Sequence, residues 1–451
     1  MRFHAVNEDS RLSLWLRVRE FAVPPAMIEK ATARRAVGDW AGACAAAGVD
    51  VDLNPRSAVH VHGQGLVARV RADLRHLAPD LLRWHMPRIA PDGLLRPGLT
   101  ISLARYDPEE PGRRGAVHLV ARTPPAWADA GQRISLALWD GRRPGRAGHP
   151  HPRPHRRFRL DLHRHLWDVR RCDELRVRSG AEGRPPPDPG VPAEPGWAVD
   201  RWAAEALILL RAEGRSGGPV AVRLGGRRQL LLEAADPDAS VVTVRWATAR
   251  GGTEAPVLPD AATWVPPDLA LLRAGLIGPG RLHPLVAASL VPGSSPTGPT
   301  QASEDGDGTR LVECRGAVHR IGLVDGVLAP LDHDPDEIRR ERLLAALTGT
   351  PLPCLQAVEE AHVAPECLTD VRARLDHGDP AGALDMVEAL IGPGAPLPRG
   401  ALREQLETAA RRRITHGLFR AGLAHLGQGP DPRPDRTPRG ERARPRHAKR
   451  R

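Results

Sequence analysis

The chain has 451 residues, of which 41% are hydrophobic, and it carries a net charge of +11. The hydrophobic content is sufficient for buried cores, and the length allows two to four domains. Residues 428–451 contribute +6 and residues 142–159 contribute +7, which leaves −2 for the rest of the chain. The charge therefore does not require a basic groove on a folded domain.

The N-terminus and the cysteines favour a cytoplasmic protein. Glu8, Asp9 and Arg11 interrupt the apolar N-terminal residues, so we expect no signal-peptide core. No apolar run has the length of a membrane span, so we expect no membrane partner. The five cysteines are odd in number and widely spaced, which predicts reduced, buried thiols.

The first part of the chain predicts a mixed helix and strand domain over residues 1–180, with a loop or linker at 141–156. Apolar periodicity indicates helices at 25–47 and 57–82. Short runs of β-forming residues indicate strands at 116–121, 133–139 and 157–162, followed by a helix at 164–178.

A Pro-rich linker at 181–197 precedes a predicted middle α+β domain at 198–290. This domain begins with an apolar-faced helix at 198–213 and continues with a β-hairpin around Gly225-Gly226. A third strand and two helices complete it.

After a predicted disordered linker at 291–308, residues 309–427 predict a small β-meander followed by helices. Asp334 and Pro335 are typical of a helix N-cap and first turn. Residues 428–451 predict a disordered basic tail. The fold class is thus expected to be α+β, with several domains and small antiparallel hairpins and meanders.

Two segments share one turn pattern. Gly38-Asp39-Trp40-Ala41-Gly42-Ala43 and Gly378-Asp379-Pro380-Ala381-Gly382-Ala383 each place a Gly at a helix end and an Asp at the next N-cap. The pattern resembles the turn of a tetratricopeptide-type helical hairpin, which implies a peptide-binding surface as the alternative to an ordinary hairpin. The Arg-, Ala-, Gly- and Pro-rich composition resembles that of actinobacterial proteins from high-GC genomes, a resemblance that implies no activity.

The stretch GHPHPRPHRRFRLDLHRHLW, residues 148–167, holds the main metal candidates. His163 and His165 stand two positions apart at the end of the strand predicted at 157–162, so both would point to one face. A solvated or hydrogen-bonded pair near the strand end is the preferred interpretation. A second group, Cys354, His362, Cys367 and His377, lacks the tight pair that is typical of zinc sites. For that group we expect buried thiols and surface histidines.

Arginines supply the candidate nucleic-acid contacts, which would neutralise phosphates without sequence preference. They lie in the Pro-rich segment, on the C-terminal helix and in the tail: Arg153, Arg156, Arg157, Arg411, Arg412, Arg413, Arg450 and Arg451. A helix face in solvent with a solubilising tail is the alternative interpretation.

No nucleotide-binding, nucleophile-elbow or zinc-protease motif occurs, so we expect no cofactor, and catalysis is not favoured. The preferred hypothesis is a non-enzymatic cytosolic interaction or scaffold protein with unknown protein partners. One alternative is a nucleic-acid-associated protein that uses residues 142–159 and 428–451. The other is a hydrolase with a metal site near His163 and His165.

Overall fold

The computed structural model describes thirteen stretches of the chain: residues 2–108, 115–141, 149–181, 196–225, 228–234, 242–248, 255–293, 310–314, 316–324, 327–349, 352–363, 368–391 and 400–423. The basic tail with Arg450 and Arg451, and most of the predicted linkers, lie outside these residues. Within them, no helix is both long enough and apolar enough to cross a membrane.

The described elements form an α+β protein, as predicted. The helices are α1 Arg2–Arg17, α2 Pro25–Ala36, α3 Trp40–Ala46, α4 Pro55–His62, α5 Gln64–Arg75, α6 Pro79–His85, α7 Leu175–Arg178, α8 Val199–Ala212, α9 Asp260–Thr263, α10 Pro267–Arg273, α11 Pro284–Leu290, α12 Pro335–Thr348, α13 Pro353–Val363, α14 Leu368–His377, α15 Pro380–Ile391 and α16 Ala401–Arg420. The strands are β1 Val49–Val51, β2 Arg88–Ile89, β3 Leu94–Leu95, β4 Thr100–Tyr106, β5 Val117–Arg122, β6 Ile134–Trp139, β7 Gly218–Gly225, β8 Arg228–Ala234, β9 Val242–Thr248, β10 Arg310–Cys314, β11 Ala317–Val324 and β12 Val327–Pro330.

The largest core surrounds a four-stranded sheet in the order β1-β6-β5-β4. β1 is parallel to β6 and the other pairs are antiparallel. Leu82, Ile101 and Trp167 have no exposed surface at its centre. Leu271 on α10 and Val286 on α11 join the same core. The second half of the predicted middle segment thus packs with the N-terminal residues.

The strand predicted at 157–162 is wrong. The main-chain N–H groups of Leu162 and His163 donate to the carbonyls of Arg159 and Leu160, so turns use the groups that a strand would need. The helix predicted at 164–178 is two 3-10 segments, Arg164–Leu166 and Val169–Glu174, followed by α7. Asp168 lies between the two segments, and its side chain accepts a hydrogen bond from the Arg170 main chain.

The second core forms where α8 packs on the sheet β7-β8-β9, which confirms the predicted hairpin and third strand. Trp202 is buried there, and its indole N–H donates to the carbonyl of Thr263. The predicted meander is also confirmed as the sheet β10-β11-β12. Asp334 caps α12 as expected, accepting from the main-chain N–H of Asp336 and of Glu337.

Both segments with the shared turn pattern are helical hairpins, α2–α3 and α14–α15. Asp39 accepts from the main-chain N–H of Gly42, and Asp379 accepts from that of Gly382. The second hairpin lies against the N-terminal core. The guanidinium of Arg83 donates to the carbonyl of His377 over 2.7 Å. Helices near the C-terminus therefore close over a domain that begins the chain.

Candidate anion-binding pocket

His163 and His165 are both buried, because the 3-10 turn Arg164–Leu166 carries them beneath the surface. The ring nitrogens of His163 both have partners. Nδ1 contacts the carbonyl oxygen of Arg159 at 2.9 Å, and Nε2 contacts Oε2 of Glu205 at 3.1 Å. A metal at His163 would have to displace one of these contacts. Metal binding at His163 and His165 stays a prediction.

Glu205 is the centre of a buried ionic cluster on α8. Its carboxylate accepts from Arg178 at 2.6 Å and from Arg201 at 3.2 Å, besides contacting His163. Burial alone would raise the pKa of Glu205, but the hydrogen bonds from His163 and Arg178 outweigh burial and hold that pKa well below its usual value. The cluster joins the loop at 159–165 to the second core.

A cavity of about 340 Å³ lies beside this loop, between the first core and the segment that contains α9 and α10. Its apolar wall includes Leu14, Trp15, Phe158 and Trp264. Its polar lining consists of five arginines, two histidines and one carboxylate: Arg11, Arg88, Arg96, Arg157, Arg159, His85, His165 and Asp260. The lining is therefore strongly positive around an aromatic interior.

Three buried polar atoms in this lining have no hydrogen-bond partner among the described residues. They are Nδ1 of His165, Nε2 of His85 and Nε of Arg88. Burial lowers the pKa of His165 well below its usual value and that of His85 to about 3, so both rings are neutral at pH 7. Each ring then offers one donor and one acceptor. Buried polar atoms without partners are rare and often mark a bound molecule or ion.

Arg88 is a half-buried cation in the pocket lining. Its guanidinium donates to the main-chain carbonyls of Gly93 and Arg83, and no described carboxylate forms an ion pair with it. Burial, followed by the nearby charge of Arg83, lowers the pKa of Arg88. An anion beside Arg88 would offset this cost, because a buried charge is stable only when it is paired.

The other arginines of the pocket differ in their partners. Arg157 pairs with Asp260, and Arg159 pairs with Asp161 and Glu213. Arg11 donates to two carbonyl oxygens and lies over the Trp264 ring. The side chain of Arg96 is exposed, and its charge acts on the carboxylate of Asp260.

A wider groove of about 850 Å³ adjoins the pocket through Arg157. Arg153 and Arg156 of the Pro-rich stretch line it together with Arg223 of β7, and all three are exposed. None of the described residues that line it is acidic. The part of the Pro-rich segment that we expected to be linker, residues 149–156, thus packs as an ordered wall beside β4 and β7.

The remaining predicted nucleic-acid residues lie elsewhere. Arg411, Arg412 and Arg413 are on α16, where Arg412 pairs with Asp376 at 2.5 Å and Arg411 contacts Thr408. They do not line the pocket or the groove.

The sequence analysis did not identify Arg88 and His85 as pocket residues, because nothing in their local pattern shows that α6 and β2 turn them toward the loop at 157–165.

Comparisons of the chain with models of protein families, with curated proteins and with solved structures found no match.

Proposed function

We propose that the chain is a non-enzymatic binding protein whose pocket takes a small anion with an apolar body, such as an aromatic phosphate or carboxylate. The single observation that carries the proposal is Arg88, whose half-buried guanidinium lies in the pocket wall, has a buried Nε without a partner among the described residues, and is neutralised by no described carboxylate. Anionic groups bind guanidinium through charge-assisted hydrogen bonds, which are among the strongest in proteins.

The shape and polarity of the pocket suit both the apolar body and the anionic group of such a ligand. Trp15, Phe158 and Trp264 offer flat apolar surfaces to an aromatic body. Arg88 and His165 offer donors to the anionic group. The described lining contains no Ser, Thr, Cys or Lys, so it supplies no hydroxyl, thiol or amine nucleophile. These features favour binding over covalent catalysis.

The test measures thermal unfolding of the full chain with phenyl phosphate, with phenol and with inorganic phosphate. We expect phenyl phosphate to raise the melting temperature more than either fragment, since a ligand that binds only the folded state stabilises it. Arg96→Ala should reduce the shift, because Arg96 is the exposed cation of the lining. Arg56→Ala, an exposed arginine on α4 outside the pocket, is the matched control.

Equal shifts with phenol and phenyl phosphate would contradict an anion site. No shift with phenyl phosphate or with benzoate at any concentration would contradict the pocket as a binding site for aromatic anions.

Nucleic-acid binding is a second candidate, favoured by the groove in which Arg153, Arg156 and Arg223 face no described acid. Its test is fluorescence anisotropy with a single-stranded oligonucleotide at two salt concentrations. Arg153→Ala with Arg156→Ala should weaken binding and reduce the salt dependence. Arg56→Ala with Arg71→Ala, two exposed arginines outside the groove, is the matched control. Unchanged affinity in the first double variant would exclude the groove.

We also propose the interaction or scaffold role that the sequence favours. In that case the same chain binds a small anion in its pocket and a protein partner elsewhere. Affinity capture tests this role. It uses full-length protein and a chain that ends at Gly427, each with and without nuclease, and it measures whether the same protein partners are recovered without the tail.

A further inference from the structure

We propose that Cys314, His333 and Cys354 form a structural zinc site in the C-terminal region. Their ligand atoms, two Sγ atoms and one ring nitrogen, all lie within 4.8 Å of one another. Two ligand atoms on one tetrahedral zinc ion stand about 3.5 Å apart, given bonds of about 2.0–2.3 Å. Small movements of the three side chains would therefore bring their ligand atoms to zinc-binding distances.

Three different elements bring these residues together. Cys314 ends β10, His333 lies between β12 and the N-cap of α12, and Cys354 is the second residue of α13. Both cysteines have no exposed surface and are free thiols. The 40-residue separation of the cysteines hides the site from a search for tight ligand pairs.

His333 has the geometry of a metal-binding histidine. Its Nδ1 contacts Oε2 of Glu337 at 3.4 Å, while its Nε2 is buried and has no partner among the described residues. Metal-bound histidines usually donate their second ring nitrogen to a carboxylate, which fixes the ring and leaves the other nitrogen for the metal. Glu337 supplies that carboxylate, although the same residue also lies in the first turn of α12.

His319 on β11 belongs to the same cluster. Its ring stacks on that of His333 with centroids 4.2 Å apart, and its Nδ1 is also buried without a partner in the part of the chain that the structure describes. A second imidazole with an unpartnered nitrogen thus lies against His333, one of the three proposed ligands. The two unsatisfied imidazole nitrogens are costly without a partner, because unpaired buried polar atoms lose their hydration.

The chemistry of the ligands selects zinc among common cytosolic metals. Two thiolates and an imidazole are typical of structural zinc sites, whereas calcium and magnesium require oxygen ligands. Zinc binding would release the two thiol protons to water and supply free energy of folding. The core here is small, with Ile321, Leu352 and Leu355 among its few buried residues, so such a contribution would matter.

The proposed site differs from the grouping of Cys354 with His362, Cys367 and His377 along the sequence. His377 instead lies against the N-terminal core, where its Nε2 donates to the carbonyl of Asp92. Cys367 lies outside the described residues, and the expectation that His377 is a surface residue is wrong because it is 1% exposed.

The test uses the full-length chain, stripped with a chelator and reloaded with zinc or with cobalt. We expect one equivalent of zinc, and a cobalt complex with thiolate-to-metal and tetrahedral ligand-field absorption. Cys314→Ser and His333→Ala should lose the metal. Cys44→Ser, which removes a buried free thiol from the first core, should retain it.

The cobalt spectrum of the unaltered chain keeps the test independent of whether the variants fold. A reloaded chain that binds no metal, or a cobalt spectrum without thiolate absorption, would overturn the proposal. A titration that finds three free thiols instead of the five in the sequence would also overturn the proposal, since it would indicate a disulfide. Zinc that survives Cys314→Ser but is lost in His163→Ala would belong to the other histidine pair.

Discussion

Gly131 and Gly378 meet backbone to backbone, where the turn of the α14–α15 hairpin reaches the N-terminal core. A Cβ atom on Gly131 would lie 2.8 Å from the Cα of Gly378, closer than real contacts of this kind. Both residues also have positive φ angles, +67° and +87°. Only glycine fits both positions without moving a main chain, so this contact fixes how the C-terminal helices close over the first domain.

Gly378→Ala should destabilise the chain more than Gly38→Ala does. Gly38 holds the equivalent turn position in the first hairpin with φ +77°, but no atom lies within 4 Å of where its Cβ would be. Each alanine adds about 1–2 kcal/mol of left-handed backbone strain. Gly378→Ala adds about 1–3 kcal/mol of overpacking. Denaturant unfolding of both variants measures the difference, and equal losses would contradict the close contact.

Stability should fall as the pH drops below 6.5. Burial, followed by the charges of Arg88 and Arg83, lowers the pKa of His377 to about 3. Between pH 6.5 and 3 the unfolded chain holds a proton on this residue that the folded chain does not. The free energy of unfolding therefore decreases by about 1.4 kcal/mol per pH unit for this histidine as the pH falls.

His377→Gln provides the check on that pH dependence. The glutamine amide can still donate to the carbonyl of Asp92, but it does not titrate. Unfolding measured between pH 6.5 and 4.5 should show a smaller slope for the variant than for the unaltered chain. An unchanged slope would mean that His377 is protonated equally in both states.

Glu205→Gln should cost about 3 kcal/mol of unfolding free energy. The substitution keeps the shape but leaves the buried Arg201, and also Arg178, without their carboxylate, and breaking a buried ion pair from one side is strongly destabilising. Glu213→Gln is the matched control, because Glu213 is 40% exposed in its pair with Arg159. There we expect less than about 1 kcal/mol. Similar losses of unfolding free energy in the two variants would show that water reaches the Glu205 cluster.

His165→Leu should weaken phenyl phosphate binding about fivefold without large loss of stability. Leucine fills much of the space of the ring but removes the donor that the pocket offers, and one neutral hydrogen bond contributes about 1 kcal/mol. Calorimetric titration measures the change. If affinity is unchanged, the ligand does not reach His165, and the proposed position of its anionic group is wrong.

Local signals in the sequence determined much of the secondary structure. Asp39, Asp379 and Asp334 cap helices as their neighbours predicted, because capping depends on a few consecutive residues. The β7–β8 hairpin and the meander β10-β11-β12 follow likewise from alternating apolar residues and turns. The prediction failed at 157–162, where turn hydrogen bonds replaced the strand.

Only the tertiary structure decided which distant residues share a site. Arg88 and His165 line one pocket although they are 77 positions apart in the sequence, and Cys314, His333 and Cys354 come from three elements. Such contacts depend on how whole elements pack, and no local periodicity encodes that packing. The sequence by itself therefore determined the α+β elements and their caps, whereas burial and approach in three dimensions decided which arginines, histidines and thiols can bind.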